Sequence, residues 1–442
     1  MKEDAIIIGG GLSGLTAAIY AAQAGHSVVL VEKNENLGGR ASSEIIRGSV
    51  LNMGAHALYQ TGHAMSIFRE LGIPIDGGKV PIGGVAATHE GLYPLPFTFS
   101  SLLRTRLLTW NSKVKYIQLM LMLQRMDAES FHGLSWSDWV GKQFPHDRMA
   151  QDLMLTLGRL WMYADCPEQL DAGATIQQGQ VSMGGVYYLH QGWKSLVHSL
   201  KKRAESEGVR IVRGKADSIF VDEQRVEGIL LSNGEMLHGS TVIAALSPGE
   251  AAGLVREVDG PKSPTLKYWQ EQAVPSFASC LDIAVTHLPE PNRSFALHVQ
   301  RPLYYSNHSS ISKLNTNGDQ VIHMLKYQAS PEQIDPARDR RELEEWIDSL
   351  QPGWRKAVVT ERFLPKMTVT HSLPLCGAAR RPAPDETGVD GLYISGDWVG
   401  QHGMLADAAV ASGKHAAHCA IRYLRNHVRE DVRKNNELRS IL

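Results

Sequence analysis

Cysteine is scarce in this chain: four in 442 residues (Cys166, Cys280, Cys376, Cys419), with no C-x-x-C pair among them. That excludes a disulfide framework and a paired-cysteine zinc site, so no metal is expected and a reducing, cytoplasmic setting follows. An excess of charge is missing too. The 45 lysines and arginines stand against 46 aspartates and glutamates, leaving −1 near neutrality. This is not the basic surface of a general nucleic-acid binder. No apolar run reaches membrane-crossing length. The run at residues 5–8 is too short for a secretory signal and reads as a strand. Internal repeats and low-complexity segments are absent. The chain is long enough for two or three domain-sized units.

What is present is a pair of matched segments at opposite ends of the chain. Residues 4–8 read as a buried parallel strand, 12–24 as a helix closed by Gly25, and 27–32 as a second strand, together a β-α-β unit. Gly9 permits the tight turn, Gly11 lets backbone approach a pyrophosphate, and Gly14 lets helix pack on strand. The helix N-terminus offers free N–H groups to phosphate. Glu32 ends the second strand with a carboxylate suited to the two hydroxyls of a ribose, which disfavours a 2′-phosphate. A second glycine pair with a cation, Gly38-Gly39-Arg40, follows soon after. Next comes Gly54-Ala55-His56, where Gly54 would let backbone lie against a flat ring. This order points from NAD toward FAD. Near the C-terminus, a strand over 393–395 runs through Gly396 to Asp397, a carboxylate for hydroxyl groups. A small-residue helix then spans 405–417, and its N-terminus suits negative charge on a reduced flavin.

These segments resemble those of the flavin-containing amine oxidases and their phytoene desaturase and protoporphyrinogen oxidase relatives, over most of the chain. The match is weakest over 90–180 and 250–370. The resemblance implies an α/β fold: a Rossmann-like FAD-binding domain of glutathione-reductase type, with an inserted α+β substrate-binding domain. It also implies a cofactor set of Gly9, Gly11, Leu12, Ser13, Gly14, Glu32, Lys33, Gly38, Gly39, Arg40, Gly54, Ala55, His56, Ala216, Gly396, Asp397, Leu405 and Ala406. Within that set Glu32 would hold the adenosine ribose, and Arg40 would lie near pyrophosphate and flavin. Ala216 would hold the adenine through its backbone, Asp397 the ribityl chain or pyrophosphate, and the Ala406 N–H the flavin pyrimidine.

The FAD-binding domain is expected in three parts, 1–88, 185–250 and 375–425. The substrate domain would comprise a mostly helical 89–184 and a mixed 251–374, with 426–442 a charged tail forming a surface helix. Residues 91–126 contain no acid, yet carry Arg104, Arg106, Lys113, Lys115 and Arg125 beside Tyr93, Phe97, Phe99, Trp110 and Tyr116. The favoured reading is buried helices with basic ends. The alternative is a peripheral membrane patch that feeds a lipophilic substrate to the flavin.

Enzymes of the resembling family move a hydride from substrate to flavin N5 and pass electrons to oxygen, a quinone or another carrier. Amine oxidases among them often carry a tyrosine directly before the position of Ala406. This chain has Leu405 there, which tilts the expectation toward desaturase-like dehydrogenation of a lipophilic small molecule. Flavin amine oxidation, and a flavoprotein isomerase or assembly factor without net redox turnover, remain as alternatives. The proton acceptor is not identified by sequence. Candidates are Lys326, bonded through water to N5 or else an exposed strand lysine, and His56, facing the ring or else only structural. His371 and His402 are weaker cases. Cys376 is read as an inert thiol rather than a covalent tether, so FAD is expected to be non-covalent.

Overall fold

The computed structural model describes residues 2–257 and 263–441, without side-chain detail for 256–257 and 427–441. Among the described residues, an eight-stranded sheet carries the β-α-β unit. Glu3–Ile8 pairs in parallel with Val28–Glu32 on one side and with Met236–Ala244 on the other. Arg210–Arg213 extends the sheet beyond Val28–Glu32, and Leu392–Ile394 extends it beyond Met236–Ala244. The central strands read as unbroken Val, Ile and Leu because both faces are covered, as parallel strands require. The opening helix, Leu12–Gln23, packs on one face together with Trp193–Ser206 and the start of the final helix, Leu405–Ile441. An antiparallel meander (Ala216–Asp222, Arg225–Leu231, and the beginning of Met236–Ala244) completes the sheet. The helix anticipated over the charged tail does continue to Ile441, while its side chains from 427 on lie outside the described residues.

A second sheet has seven strands in the spatial order Val358–Thr370, Ser276–Val285, Gln320–Tyr327, Leu303–Asn307, Phe295–His298, Val85–Thr88 and Gly91–Pro94. Strand side chains alternate between faces, and here the two faces have different partners. Leu281, Ile283, Ile322, Met324 and Tyr305 pack against the helix Pro336–Leu350. Ala278, Cys280, Leu325, Tyr327 and Tyr304 face a helical layer that includes Arg148–Met162 and Ala172–Met183. That second face looks toward Ala55 of the glycine-rich segment. The helices of this layer begin at side-chain caps, including Ser135, whose hydroxyl accepts the Asp138 N–H at 3.1 Å.

The first and last helices cross at nearly bare backbone. A Cβ placed on Gly413 would sit 2.3 Å from the Ser13 carbonyl oxygen, and one on Gly14 would sit 1.9 Å from the Gly9 carbonyl oxygen. Neither obstacle is a flexible side chain, so neither can swing aside. Gly413→Ala gains about 1 kcal/mol of helix propensity. It should still lower stability by a net ~1–2 kcal/mol through overpacking, read as a reduced urea midpoint.

Candidate functional site

The site forms where the two glycine-rich segments meet. The Gly38 N–H donates to the Gly10 carbonyl at 2.8 Å, so the Gly38-Gly39 turn lies across the start of the opening helix. Gly38 has φ +117°, a conformation that only glycine adopts without strain. A Cβ on Gly11 would meet nothing nearer than the Gly38 carbonyl oxygen at 3.9 Å, and one on Gly39 only the Gly11 Cα at 3.8 Å. Backbone thus faces open space. No side chain caps the helix that starts at Leu12, and the buried Ser13 hydroxyl has no hydrogen-bond partner among the described residues. Uncapped helix N–H groups, an orphaned hydroxyl and bare glycines together fit a pyrophosphate.

Beside them opens a cleft of about 310 Å³ lined by Gly9, Glu32, Lys33 and Ala216. Glu32 and Ala216, assigned to ribose and adenine from sequence, therefore share one cavity. The buried Glu32 carboxylate accepts the Gly10 N–H at 2.7 Å and the Asn34 N–H at 2.8 Å, which fixes its direction and leaves lone pairs free. Lys33 turns to Glu250, 2.6 Å away.

Arg40 and Asp397, which sequence placed separately on the cofactor, are bonded to each other. The guanidinium meets the carboxylate at 2.7 and 2.8 Å, and also donates to the Val369 carbonyl at 2.9 Å. Asp397 further accepts the His371 N–H at 3.0 Å and pairs with His371 Nδ1 at 2.9 Å. Burial acts to raise the Asp397 carboxyl, but Arg40 and His371 override it and hold the group well below the usual carboxylate range. Arg381, which sequence reasoning passed over, donates to the Asp397 carbonyl at 3.0 Å and to the Gly403 carbonyl at 2.8 Å. Burial pushes its guanidinium down to about 10. Gly396 is held by Ser412, whose hydroxyl accepts the Gly396 N–H at 2.9 Å. Leu405 begins the final helix at φ +55°, a strained conformation for a branched residue, and is followed by the half-buried Ala406.

Gly54 lies under Met367: a Cβ there would come within 2.6 Å of the thioether sulfur and 3.9 Å of the Cys280 thiol. His56 follows, its Nδ1 3.1 Å from the Gly54 carbonyl and its ring 5.0 Å from that of Trp193. Burial pushes His56 down to about 4. The His402 ring lies 5.0 Å from that of His63, tilted by 53°. The Cys376 thiol donates to the Gly133 carbonyl at 2.9 Å.

Lys326 is a correction. It is neither an exposed strand lysine nor part of the face that looks toward Gly54. It shares the alternation of Ile322 and Met324, points at the helix Pro336–Leu350, and is bound there by Asp339 at 2.6 Å and Glu342 at 3.1 Å. The residues that do occupy the Gly54 side are Cys280, Asp282 and His323. Sequence reasoning missed them because only the register between strands brings them together.

The region 91–126 is also corrected. The helix Trp110–Leu123 buries Tyr116, Leu119 and Leu123, but its outer side exposes Trp110 (68 %), Val114, Leu121 (64 %) and Met122. The preceding helix, Phe99–Arg104, exposes Phe99 (67 %) and Leu103. Arg104, Arg106, Lys115 and Arg125 are exposed around them, whereas Lys113 is buried. Among the described residues no helix is long and apolar enough to cross a membrane.

Comparison with known proteins follows the same lines. The family of flavin containing amine oxidoreductases matches residues 12–293. A 15-cis-phytoene desaturase (chloroplastic/chromoplastic) of Solanum lycopersicum is 21 % identical over 479 residues, covering 95 % of this chain and 77 % of that protein. A carotenoid 3,4-desaturase of Haloarcula japonica is 54 % identical over 52 residues, 12 % of this chain and only 10 % of that enzyme. Among solved structures, an oxidoreductase from Methanosarcina mazei superposes with a TM-score of 0.76 at 17 % identity, covering 95 % of this chain and 100 % of that one. At that identity the likeness shows the fold.

Asp397 gives the site a pH signature. Its carboxyl is depressed in the folded chain, so its contribution is full above the unfolded value near 4 and is lost as pH falls below it. Asp397→Asn should therefore cost ~3 kcal/mol at neutral pH, the low end for breaking a buried pair because Arg40 is 40 % exposed. The gap to wild type should narrow below about pH 4. Thermal unfolding across pH checks both.

Proposed function

The chain belongs to the family of flavin containing amine oxidoreductases and is an oxidoreductase that works with a flavin, and from that premise we propose that it holds FAD non-covalently and dehydrogenates C–C bonds of a lipophilic, polyene-like small molecule. The observation that carries the FAD reading is the cleft shared by Glu32 and Ala216 next to the uncapped helix start. A mononucleotide flavin would have no use for it. Gly9, Gly11, Leu12, Ser13, Gly14, Gly38 and Gly39 would hold the pyrophosphate, while Gly54, Ala55, His56 and Ala406 would border the ring. Non-covalent binding is favoured because the Cys376 thiol is engaged with Gly133 and Cys280 is buried. Bound flavin supplies an acceptor for two electrons and a hydrogen from a C–H bond. Oxygen or a quinone would take the electrons onward.

The substrate class is supported by the desaturase relatives and by the lining of the face above Gly54. Leu297, Leu325, Met367 and Val369 lie there with Tyr304 and Tyr327. Among the described residues, the only carboxylate placed there by strand alternation, Asp282, is already paired with Arg362 and His323. The exposed face of Phe99–Arg104 and Trp110–Leu123 supplies a route for such a substrate. Its apolar outer side, ringed by four exposed cations with no acid in 91–126, suits docking on an anionic bilayer. The inner side of the same helix reaches the core that contains Tyr304 and Tyr327.

Amine oxidation is a second reading, and one observation favours it. Tyr163, Tyr304 and Tyr327 cluster with ring centroids 5.9 to 6.4 Å apart, and aromatic faces attract a substrate ammonium. Burial keeps their phenols neutral.

Glu32→Ala should weaken FAD retention about 10–100-fold, since a charged hydrogen-bond acceptor is worth roughly 1.5–3 kcal/mol. Unchanged flavin absorbance in the purified variant would contradict the ribose assignment. Anaerobic addition of a carotenoid polyene in vesicles should bleach the bound flavin. Bleaching by simple amines instead, with ammonia and peroxide released in air, supports the second reading. The protein should float with phosphatidylglycerol vesicles, and Trp110→Ser with Leu121→Ser should abolish this; flotation unaffected by that pair sinks the docking face.

A further inference from the structure

Four strands of the second sheet place a row of polar side chains across the face that looks toward Gly54. In register, Ser306 stands opposite His323, His323 opposite Asp282, and Asp282 opposite Arg362. Ser306, His323 and Asp282 are fully buried, in a layer otherwise made of Leu, Met, Ala and Tyr. His323 Nδ1 lies 2.5 Å from Asp282 Oδ1. Arg362 grips Asp282 Oδ2 at 2.5 Å, and also donates to the Asn52 carbonyl, two residues before Gly54. Cys280 adds its thiol to Asp282 Oδ1 at 3.0 Å.

This wiring fixes the orientation of the imidazole. Burial acts to raise Asp282, but His323 and Arg362 override it and keep the carboxyl ionised. An ionised Asp282 can only accept, so Nδ1 of His323 carries a hydrogen and donates it. Nε2 takes no part in that bond. That nitrogen is buried and has no hydrogen-bond partner among the described residues. Nε2 of His308 is in the same condition. The His308 ring meets that of His323 edge-on at 4.4 Å and stacks on Tyr188 at 3.7 Å. His308 is close enough to both His323 and His56 to feel their charge, and burial keeps it well below the ordinary histidine range. The donor atoms of Cys280, Asp282 and His323 lie within 4.8 Å of one another. A cation is not needed there, because the Arg362 guanidinium already supplies the positive charge.

Leaving a buried polar nitrogen without a partner is costly. Burying an ionised pair is no better for stability than an apolar replacement. In this row the two features coincide on one imidazole beside the glycine-rich segment. We propose that His323, fixed by the positioning residue Asp282, is the proton-holding group of the flavin site, reached from His56 through His308. Two-electron oxidation of a C–H substrate removes two hydrogens and forms a double bond. One hydrogen departs with the electron pair to the oxidised flavin. The other departs as a proton, which His323 Nε2 accepts to become an imidazolium stabilised by the Asp282 carboxylate. The groups facing it are Asp282 and Cys280 on one neighbouring strand, Arg362 beyond them, Ser306 and His308 on the other side, and His56 and Tyr188 past His308. The inference rests on the flavin reading but not on the polyene.

The test uses the flavin-loaded protein and a dye-coupled reductive titration from about pH 5 to about pH 8. If His323 takes up a proton as the flavin site gains charge, the plot of midpoint potential against pH has an inflection in wild type. His323→Asn keeps a donor toward Asp282 and deletes Nε2; Asp282→Asn removes the charge that supports the imidazolium. Both should retain flavin and lose the inflection. An inflection that persists in both, or is absent in wild type, overturns the assignment. Should the variants fail to fold, ¹⁵N-histidine spectra of wild type decide: one buried ring nitrogen must change protonation on reduction, and none doing so is equally fatal. Protein that stays colourless after reconstitution overturns the FAD reading and this one together. Flavin-loaded protein without the inflection overturns this one alone.

Discussion

The ion pair between Arg40 and Asp397 joins residues 357 positions apart and ties together the two glycine-rich ends of the chain. Each partner sits on a glycine-supported turn that could not hold its shape alone. Arg40 follows the left-handed Gly38 and Gly39, and Asp397 follows Gly396. The bidentate contact fixes both turns at once and draws in His371 and the Val369 carbonyl. Through Val369 the pair also reaches the strand Val358–Thr370 of the second sheet. One buried carboxylate thereby registers the two sheets against each other. A geometric demand of this kind is met better by a planar guanidinium than by a lysine.

The second sheet divides its labour by parity. One set of alternating residues is given to the helix Pro336–Leu350, where apolar packing and the Lys326–Asp339 pair hold the layer together. The other set carries His323, Asp282 and Cys280 toward Gly54. A shift of register by one residue would exchange the two sets and leave charged groups where the chemistry is and imidazole where the helix packs. Deep apolar burial on both faces makes that slip expensive, so the arrangement of the polar row is guarded by packing rather than by the row itself.

These facts explain what could be read in the amino-acid order. Gly9, Gly11, Gly14 and Glu32 were legible because the turn, helix start and acid they serve are contiguous in sequence. Gly396 and Asp397 were legible for the same reason. The direct bond between Arg40 and Asp397 was not, since nothing local says that two residues so far apart in sequence will meet. Lys326 misled because a lone lysine in an apolar strand draws attention, while its carboxylate partners sit on a helix ten or more residues further on. His323 and Asp282 looked ordinary for the opposite reason: their meaning lies in cross-strand pairing 41 residues apart. The limits of the first strand, opening helix and second strand were recovered to within a residue, whereas the helix expected over 405–417 runs on to Ile441.

The crossing of the opening helix by Gly413 bears on how the protein comes into being. Ser13 and Gly413 touch through backbone, so the first helix is not seated until the last one has been made. A ribosome releases the N-terminal β-α-β unit early, yet the pocket it helps to form stays incomplete while nearly all the remaining chain is synthesised. The glycine-rich start of the chain is therefore completed as a surface only by a helix that lies some four hundred positions further along.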